Sequence, residues 1–351
     1  MKLGIISFTE RGTRLNEAVT MALTMQGYDC ENTAMPKYAV KYGIKELDMP
    51  LKQWTGEMFA RMDAILFIGA AGIAVRSIAP FLEHKSKDPA VVVMDEKGIF
   101  AISLVSGHLG GANELAAVLA NLTGAIPVIT TATDVNGRFA VDIFAKKNGL
   151  HITNMKYAKE ISADVLDEKK IGFFSDFPVI SDVPEELEIW NSEEVFEGVN
   201  GICVTLDEGK MPYKQTLCLI PEIVSIGVGC KKDTDSEIIR EKVEAVLKDC
   251  RISRNSIEKI ASIDLKKEEA GLIALAESYG VPFVTFAAQQ LKEAPGSYTP
   301  SPFVESITGV DNVCERSAVL ASQGGKLIKK KTAGDGVTVA LAVKDWSVDF
   351  G

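Results

Sequence analysis

The feature that most constrains the fold is a series of short apolar runs of strand length in which polar residues do not alternate with apolar ones. In the first 145 residues these runs are LGIISF, AILFIG, AVVVMD, FAISLV and IPVIT. Strands covered by helices on both faces have such continuous apolar sequences. Segments with helical apolar spacing, for example Leu15, Val19 and Leu23, separate the runs. Residues 1–145 are therefore predicted to form an N-terminal α/β domain with a mainly parallel sheet.

The same pattern returns in residues 221–351. The apolar runs there are VSIGVG, IEKIASI, PFVTFA and VTVALAV, and helical segments are predicted at 236–247, 267–278 and 312–322. No repeat period relates this region to the first one. We therefore predict a separate C-terminal α/β domain, again with a mainly parallel sheet.

Between these two regions the composition changes. Residues 151–222 contain 6 Lys and Arg but 15 Asp and Glu, interrupted by short apolar pieces such as IGFFSD and GICVTL. Residues 146–220 are predicted to form a small, exposed, acidic α+β middle domain, and a linker is predicted near 212–223. The predicted fold class is thus α/β, with N-terminal and C-terminal α/β domains joined by an acidic middle domain.

The charge balance bears on the partners of the chain. Its formal net charge is −10, which disfavours a nucleic-acid partner, but most of the excess lies in the middle region. The flanking regions are nearly neutral, so an anionic small molecule stays compatible with them. No apolar run reaches the eighteen or so residues of a membrane span, and the first residues lack the pattern of a signal peptide. We expect a cytoplasmic protein without a membrane partner.

The cysteine and histidine content argues against a metal held by the protein. The six cysteines are too far apart in sequence for a CxxC pair, and there are only three histidines. No metal site and no cofactor are predicted. The sequence also lacks a GxGxxG fingerprint and a Walker A motif, so nucleotide binding is not indicated.

Glycines follow the run AILFI at the point where a helix is predicted to begin. Gly69 and Gly72 would leave backbone N–H groups open to a carboxylate or phosphate, and Arg76 lies four residues further on. Ligands of open α/β sheets bind at the carboxyl ends of strands, which favours a binding role. The alternative is a tight strand-to-helix turn that simply needs small residues.

The stretch SLVSGHLGGANELA carries the sharpest chemical signal. After the run FAISLV it places Ser106, Gly107, His108 and the pair Gly110 and Gly111 just before a helix. Helix N–H donors, a hydroxyl and an imidazole are the parts with which a site could hydrolyse an ester or lactone. The plainer interpretation is a capping turn in which Ser106 or Asn113 bonds the backbone. A serine nucleophile is also conceivable at Ser106, although the GxSxG elbow is absent and residues i and i+2 tend to point apart.

Acidic and basic residues stand at other strand ends. Asp95 and Glu96 follow AVVVM, and Asp134 follows VITTAT, where a carboxylate could serve as a base or simply form a turn. Lys266 lies in ASIDLKKEE at the end of another predicted strand. Lysines 326 and 329–331 form a basic patch, for which a solvated face is the default interpretation.

Several of these segments resemble one known family. GIAVRSIAP, DPAVVVMDEKGIFAISLVSGHLGGANELA and PVITTATD are similar to the N-terminal region of the cobalamin biosynthesis protein G family, the cobalt-precorrin-5A hydrolases. IGVGCKK, ASIDLKKEE, SPFVESITGVDNVCERSAVLAS and KTAGDGVTVALAV resemble its C-terminal domain. The resemblance extends over effectively the whole chain and is strongest in residues 65–142 and 224–343.

The resemblance implies a specific reaction. A cobalt-precorrin-5A hydrolase opens the δ-lactone of its substrate and releases a two-carbon fragment as acetaldehyde, which gives cobalt-precorrin-5B. The cobalt belongs to the substrate, so no resident cofactor is implied. The many carboxylates of the substrate would be held by Arg, Lys and helix N-termini.

On this basis we assign hypothetical roles to the residues singled out above. His108 would act as general base or acid, with N–H groups around Gly110 and Gly111 stabilising the oxyanion. Asp95, Glu96 or Glu114 would assist. Arg76, Lys85 and Lys266 would bind carboxylates of the substrate. The remaining predicted substrate-binding positions are Gly69, Gly72, Ser106, Gly107, Asn113 and Asp134.

Two other classes of function stay open at this stage. The chain could be a non-catalytic protein that binds corrinoid intermediates and passes them to neighbouring pathway methyltransferases, in which case it would bind its ligand without turnover. A generic serine hydrolase would instead be labelled at Ser106 by an acylating or phosphonylating probe. A homodimer is the base-rate expectation for an enzyme of this size.

Overall fold

A computed structural model describes residues 1–84, 87–108, 110–131, 138–190 and 198–351 of the 351-residue chain. The chain divides into two compact units, Met1–Ile143 and Phe144–Gly351. Each unit is an α/β structure with mainly parallel strands, so the predicted fold class is confirmed. None of the helices in these ranges is long and apolar enough to cross a membrane.

The first unit contains one seven-stranded sheet in the order β3-β2-β1-β4-β5-β6-β7. Its neighbouring strands run parallel, except that β5 and β6 are antiparallel. The strands are β1 (Lys2–Ser7), β2 (Asp29–Ala34), β3 (Lys45–Glu46), β4 (Ala64–Ile68), β5 (Ala90–Met94), β6 (Phe100–Val105) and β7 (Ile126–Val128). The helices are α1 (Glu10–Met25), α2 (Pro36–Tyr42), α3 (Leu51–Arg61), α4 (Ala71–Ile78), which continues into a 3₁₀ turn (Ala79–Phe81), and α5 (Ala112–Thr123).

The apolar runs become central strands because both of their faces are covered. In β4, Leu66 packs into a cluster with α1 and α5, while its neighbours Ile65 and Phe67 pack on the opposite face against α3 and α4. All five residues of β4 and of β5 are buried. Continuous apolar sequence therefore predicted these two strands correctly.

The run FAISLV differs from its neighbours in direction and in burial. It forms β6, which pairs antiparallel with β5, so that Met94 faces Ala101 and Val91 faces Val105. Only Ala101 in β6 is fully buried. The prediction that this run is a parallel strand covered on both faces is wrong, because only five residues join β5 to β6. A parallel connection needs a crossover of a dozen or more residues.

The second unit contains two five-stranded sheets. The first has the order β10-β9-β11-β12-β8 and is parallel apart from β8. It is built from β8 (Leu150–Ile152), β9 (Ile171–Ser175), β10 (Leu187–Ile189), β11 (Asn200–Val204) and β12 (Gln215–Pro221), with helices α6 (Val141–Lys147), which begins in the first unit, and α7 (Met155–Leu166). The prediction of a linker near 212–223 is wrong for most of that range. Residues Gln215–Pro221 form β12, and six of these seven residues are buried.

The second sheet of this unit has the order β15-β14-β13-β17-β16. Its strands are β13 (Val224–Cys230), β14 (Ile257–Ile263), β15 (Phe283–Phe286), β16 (Lys326–Gly334) and β17 (Val337–Val343), of which β13 to β15 run parallel. Its helices are α8 (Ser236–Cys250), α9 (Ala270–Tyr279), α10 (Ala288–Glu293), α11 (Pro302–Thr308) and α12 (Cys314–Ala321), with 3₁₀ turns Arg254–Ser256 and Asp264–Lys266. The lysine patch lies on β16, a strand that was not predicted.

After β17 the chain returns to the first sheet of the same unit. Residues 346–350, which we call the tail, run beside the loop that follows β9, and Val348 forms a parallel bridge with Val179. The side-chain NH₂ of Asn148 donates to the carbonyl of Asp349, and its side-chain oxygen accepts the N–H of Asp349. The ring of Phe350 stacks on Phe144 with centroids 4.6 Å apart. The tail thus ties the two sheets of the second unit together.

Candidate functional site

The sequence motif SGHLGG lies where β6 and β7 end. Because β6 and β7 are parallel to each other, their carboxyl ends meet at one edge of the sheet, and α5 begins at the same edge. Asn113 in the first turn of α5 reaches the segment after β7, where its side-chain amide donates to Thr131 Oγ1 at 3.3 Å. We call the residues at this edge, 106–108, 110–113, 131 and 142, the β6 edge site.

Backbone hydrogen bonds fold the loop tightly onto the start of α5. The N–H of Ala112 donates to the carbonyl of Ser106 at 3.1 Å, and the N–H of Asn113 donates to the carbonyl of Gly107 at 3.0 Å. Gly110 packs so closely on Ser106 that a Cβ at Gly110 would lie 2.4 Å from the Ser106 Cβ. The glycines are therefore needed because the loop packs against itself.

One acidic side chain lies against His108. Asp142 Oδ2 is 3.4 Å from His108 Nδ1, and the side chains are 15% and 13% exposed respectively. Asp142 lies in the first turn of α6, and its other oxygen accepts the N–H of Ile143 at 3.0 Å. Asp142 was not among the predicted site residues. The signal for it was a single carboxylate within the apolar stretch AVDIFA.

The environment of Asp142 favours its ionised form. Burial acts to raise the pKa of Asp142, but the interaction with His108 and the N–H of Ile143 outweigh it, so the pKa lies below the ordinary value for Asp. A carboxylate beside an imidazole can hold the proton on one ring nitrogen and leave the other as a base. The β6 edge site therefore contains the parts for acid–base chemistry.

Ser106 is not arranged as a nucleophile. Its Oγ is buried and has no hydrogen-bond partner among the described residues, so His108 does not activate it in this conformation. Its backbone φ of 58° lies in the left-handed region, which non-glycine residues adopt rarely and often at functional sites. These observations disfavour the serine-hydrolase alternative.

The predicted oxyanion donors are partly engaged within the loop. The N–H of Gly111 donates to the carbonyl of His108 at 3.0 Å. A role for this N–H in binding an oxyanion would require that bond to break. The proposed contribution of Gly110 and Gly111 to catalysis stays a prediction.

A second group of predicted residues lies at the opposite edge of the same sheet. Gly69 stands between β4 and α4, and Gly72 is the second residue of α4. Arg76 is exposed on α4, and its guanidinium donates to the Gly72 carbonyl at 3.1 Å. Asp95 and Glu96 follow β5 at this edge. Because β6 runs against β5, the length of β5, about 13 Å, separates this edge from Ser106. The structure does not bring these residues together with His108.

Asp95 and Glu96 have partners of their own. The Asp95 carboxylate accepts the N–H groups of Lys97, Ile99 and Phe100 at 2.7–2.8 Å, which closes the turn between β5 and β6. Glu96 accepts the hydroxyl of Thr9 at 2.7 Å. Neither contact joins these carboxylates to the β6 edge site.

The remaining predicted residues are dispersed. Glu114 is exposed on α5. Burial raises the pKa of Tyr28, and the negative charge of Glu114 raises it further. Lys266, in the second unit, is paired with Glu269 at 2.7 Å. Lys85 and Asp134 lie outside the described residues. Substrate binding by these residues stays a prediction.

Comparison with known proteins identifies the family. Three family models match successive parts of the chain: "Cobalamin synthesis G N-terminal" at residues 53–134, "Cobalamin biosynthesis central region" at 139–221 and "Cobalamin synthesis G C-terminus" at 224–342. Together with the three sheets, these matches define the class as an α/β protein of cobalamin biosynthesis.

Two of the relatives that this chain matches are more than 30% identical to it over about four fifths of both chains. Cobalt-precorrin-5A hydrolase of Salmonella typhimurium strain LT2 is 36% identical over 295 residues, which cover 82% of this chain and 84% of the relative. The protein of the same name from Priestia megaterium is 33% identical over 303 residues, 82% and 81% of the two chains. A solved structure of a cobalamin biosynthesis protein G homologue from Sulfolobus solfataricus is 25% identical over 97% of both chains, with a TM-score of 0.43. The chain belongs to the cobalamin synthesis G family.

Proposed function

We propose that the chain hydrolyses the δ-lactone of cobalt-precorrin-5A and releases acetaldehyde to give cobalt-precorrin-5B. The observation that carries this proposal is the name shared by the two relatives, cobalt-precorrin-5A hydrolase. The β6 edge site supports it, because an imidazole beside a carboxylate is suited to activate water. The proposal invokes no resident cofactor, since the substrate carries the cobalt.

In the proposed first step, water attacks the lactone carbonyl while His108 takes a proton from it. The C–O bond of the lactone ring then breaks, and the protonated imidazole returns the proton to the departing alkoxide. One water is consumed, and the products of this step are a carboxyl group and a hydroxyl group on the same macrocycle.

In the proposed second step, the new hydroxyl loses its proton and its oxygen becomes the carbonyl oxygen of acetaldehyde. The bond between the carbinol carbon and the macrocycle breaks, and its electron pair remains on the macrocycle. A proton taken up there completes the balance. The reaction needs no external oxidant or reductant, and a single base can serve both steps.

The direct test is an anaerobic incubation of the purified chain with enzymatically prepared cobalt-precorrin-5A. Volatile aldehyde is trapped and the corrinoid is followed by mass spectrometry. We expect many equivalents of acetaldehyde per protein and loss of the two-carbon fragment from the corrinoid. Stoichiometric binding without aldehyde would overturn the proposal in favour of an intermediate carrier, and the absence of both would show that the substrate is a different one.

The role of His108 is tested in the same assay. His108→Ala is expected to lower kcat by about 10²- to 10⁴-fold, the usual contribution of a general acid or base. His151→Ala is the matched control, because His151 is exposed on β8 in the second unit, and this variant should turn over like the unmodified chain. Nearly full turnover by His108→Ala would show that the base lies elsewhere while leaving the reaction itself intact.

A further inference from the structure

The pair formed by His108 and Asp142 is held from both sides. On the carboxylate side, Oδ1 of Asp142 accepts the N–H of Ile143, which leaves Oδ2 directed to the imidazole. On the imidazole side, the carbonyl of His108 accepts the N–H of Gly111, and the preceding carbonyl, of Gly107, accepts the N–H of Asn113. The contact therefore joins the start of α6 to the loop before α5.

The contact selects one nitrogen of the ring. Oδ2 lies 3.4 Å from Nδ1, and both side chains are mostly buried. An ionised carboxylate accepts hydrogen bonds only, so a neutral imidazole in this arrangement keeps its proton on Nδ1. The lone pair is then on Nε2.

We propose that Asp142 is a positioning residue that holds His108 in the Nδ1–H form and leaves Nε2 as the base of the reaction. The inference deepens the proposed function, on which its catalytic part rests. Burial acts to raise the pKa of Asp142, but the interaction with His108 and the N–H of Ile143 outweigh it, which favours the ionised carboxylate. Asp142 itself does not take the proton; it orients the group that does.

The histidine content of the chain makes a direct test practicable. With only three histidines, a ¹⁵N-histidine-labelled sample gives three imidazole signals in a long-range ¹H–¹⁵N spectrum, and His108→Ala assigns the one of interest. A titration in the same spectrum finds the pH at which His108 is neutral. We expect the neutral ring to have a protonated, pyrrole-type Nδ1 and an unprotonated, pyridine-type Nε2. An Nε2–H ring in the unmodified protein would overturn the proposal.

Two variants show whether Asp142 is the cause. In Asp142→Ala the preference for the Nδ1–H form should be lost, while in Asp142→Glu, which keeps a carboxylate, it should be recovered at least in part. Circular dichroism shows whether each variant is still folded. An unchanged Nδ1–H ring in a folded Asp142→Ala protein would contradict the proposal.

Turnover gives a separate measurement. Asp142→Ala should lower kcat by about 10²-fold or more with a much smaller change in KM, because the carboxylate orients the base and does not touch the substrate. A fall in kcat without any change in the ring form would also overturn the positioning role. If the unmodified chain shows no turnover at all, the proposed function fails while the spectra still decide the role of Asp142 at the imidazole.

Discussion

At Gly227 in β13 the backbone of helix α12 lies where other residues carry a Cβ. A Cβ at this position would stand 1.8 Å from the carbonyl oxygen of Cys314 and 2.8 Å from the backbone nitrogen of Ala318. Both obstacles are backbone atoms of one helix, so neither can rotate aside. The close approach of α12 to the second sheet of its unit therefore depends on a single missing methyl group.

Gly227→Ala is expected to lower the free energy of unfolding of the second unit by about 3 kcal/mol or more, at the upper end of what overpacking costs. Urea denaturation followed by circular dichroism measures this. Gly229→Ala in the same strand is the matched control, because its Cβ would meet only the hydroxyl of Thr338, which can rotate. Equal losses in the two variants would show that the helix backbone is not what forbids a side chain at Gly227.

Single residues also mark what the sequence could and could not predict. The motif containing His108 could be predicted as a candidate site because glycines and a histidine follow an apolar run. Asp142 is 34 positions away from His108 in sequence, and nothing local to it indicates that partner. Residues brought together only by the folding of two elements cannot be paired from one sequence alone.

Among the elements, the turn between β5 and β6 determines where the candidate site lies. It reverses the chain after five residues, with Gly98 in the left-handed region at a φ of 69°, and sends β6 back along β5. Counting those five residues would have predicted an antiparallel pair from the sequence. The apolar runs showed which strands are buried, whereas their directions depended on the length of the connections.

Asp95→Asn tests the contribution of this turn. Partial burial acts to raise the pKa of Asp95, but the backbone N–H bonds to its carboxylate outweigh this effect and hold the pKa below its ordinary value. A lowered folded-state pKa stabilises the protein above the unfolded value of about 3.9, and this stabilisation is lost as the pH falls through the folded value. We expect a loss of about 1 kcal/mol at pH 7 that shrinks towards about pH 3.

The measurement is urea unfolding followed by the fluorescence of Trp54, with Trp190 and Trp346 replaced by Phe so that only the first unit is observed. Exposed Asp48 offers the control, since Asp48→Asn should be nearly neutral at both pH values. A gap between Asp95→Asn and the unmodified protein that stays constant or widens in acid would refute this account of the carboxylate.

At the scale of the whole molecule, the predicted middle and C-terminal regions are parts of one unit. The sequence indicated their separate sheets, because composition changes near residue 146 and apolar runs return near 224. The sequence did not indicate that the tail returns to the first sheet of the second unit, since WSVDF has neither the length nor the pattern of a strand. The tail is held by backbone bonds, among them the N–H of Val348 to the carbonyl of Pro178 at 2.8 Å, and by rings at both of its ends.

Phe350→Ala removes one of these rings. Phe350 stacks on Phe144 and meets Phe173 edge-on with centroids 5.2 Å apart, so its loss should cost about 1–3 kcal/mol. Differential scanning calorimetry should show a lower Tm for the second unit and an unchanged transition for the first. Phe303→Ala is the control, because Phe303 is 72% exposed and its removal should leave both transitions in place. A Tm that falls equally in both variants would argue against the conclusion that the tail stabilises the second unit.

The position of the tail has a consequence for the order of events during synthesis. Asn148 and Ser181 form hydrogen bonds with Asp349 and Phe350, which lie 201 and 169 residues further along the chain. Because the ribosome must first produce the whole intervening C-terminal sheet, the middle region emerges early yet completes its fold late. Contacts so distant in sequence are slow to form. A nascent chain that ends near residue 221 should therefore stay more open to protease than the same residues in the complete second unit.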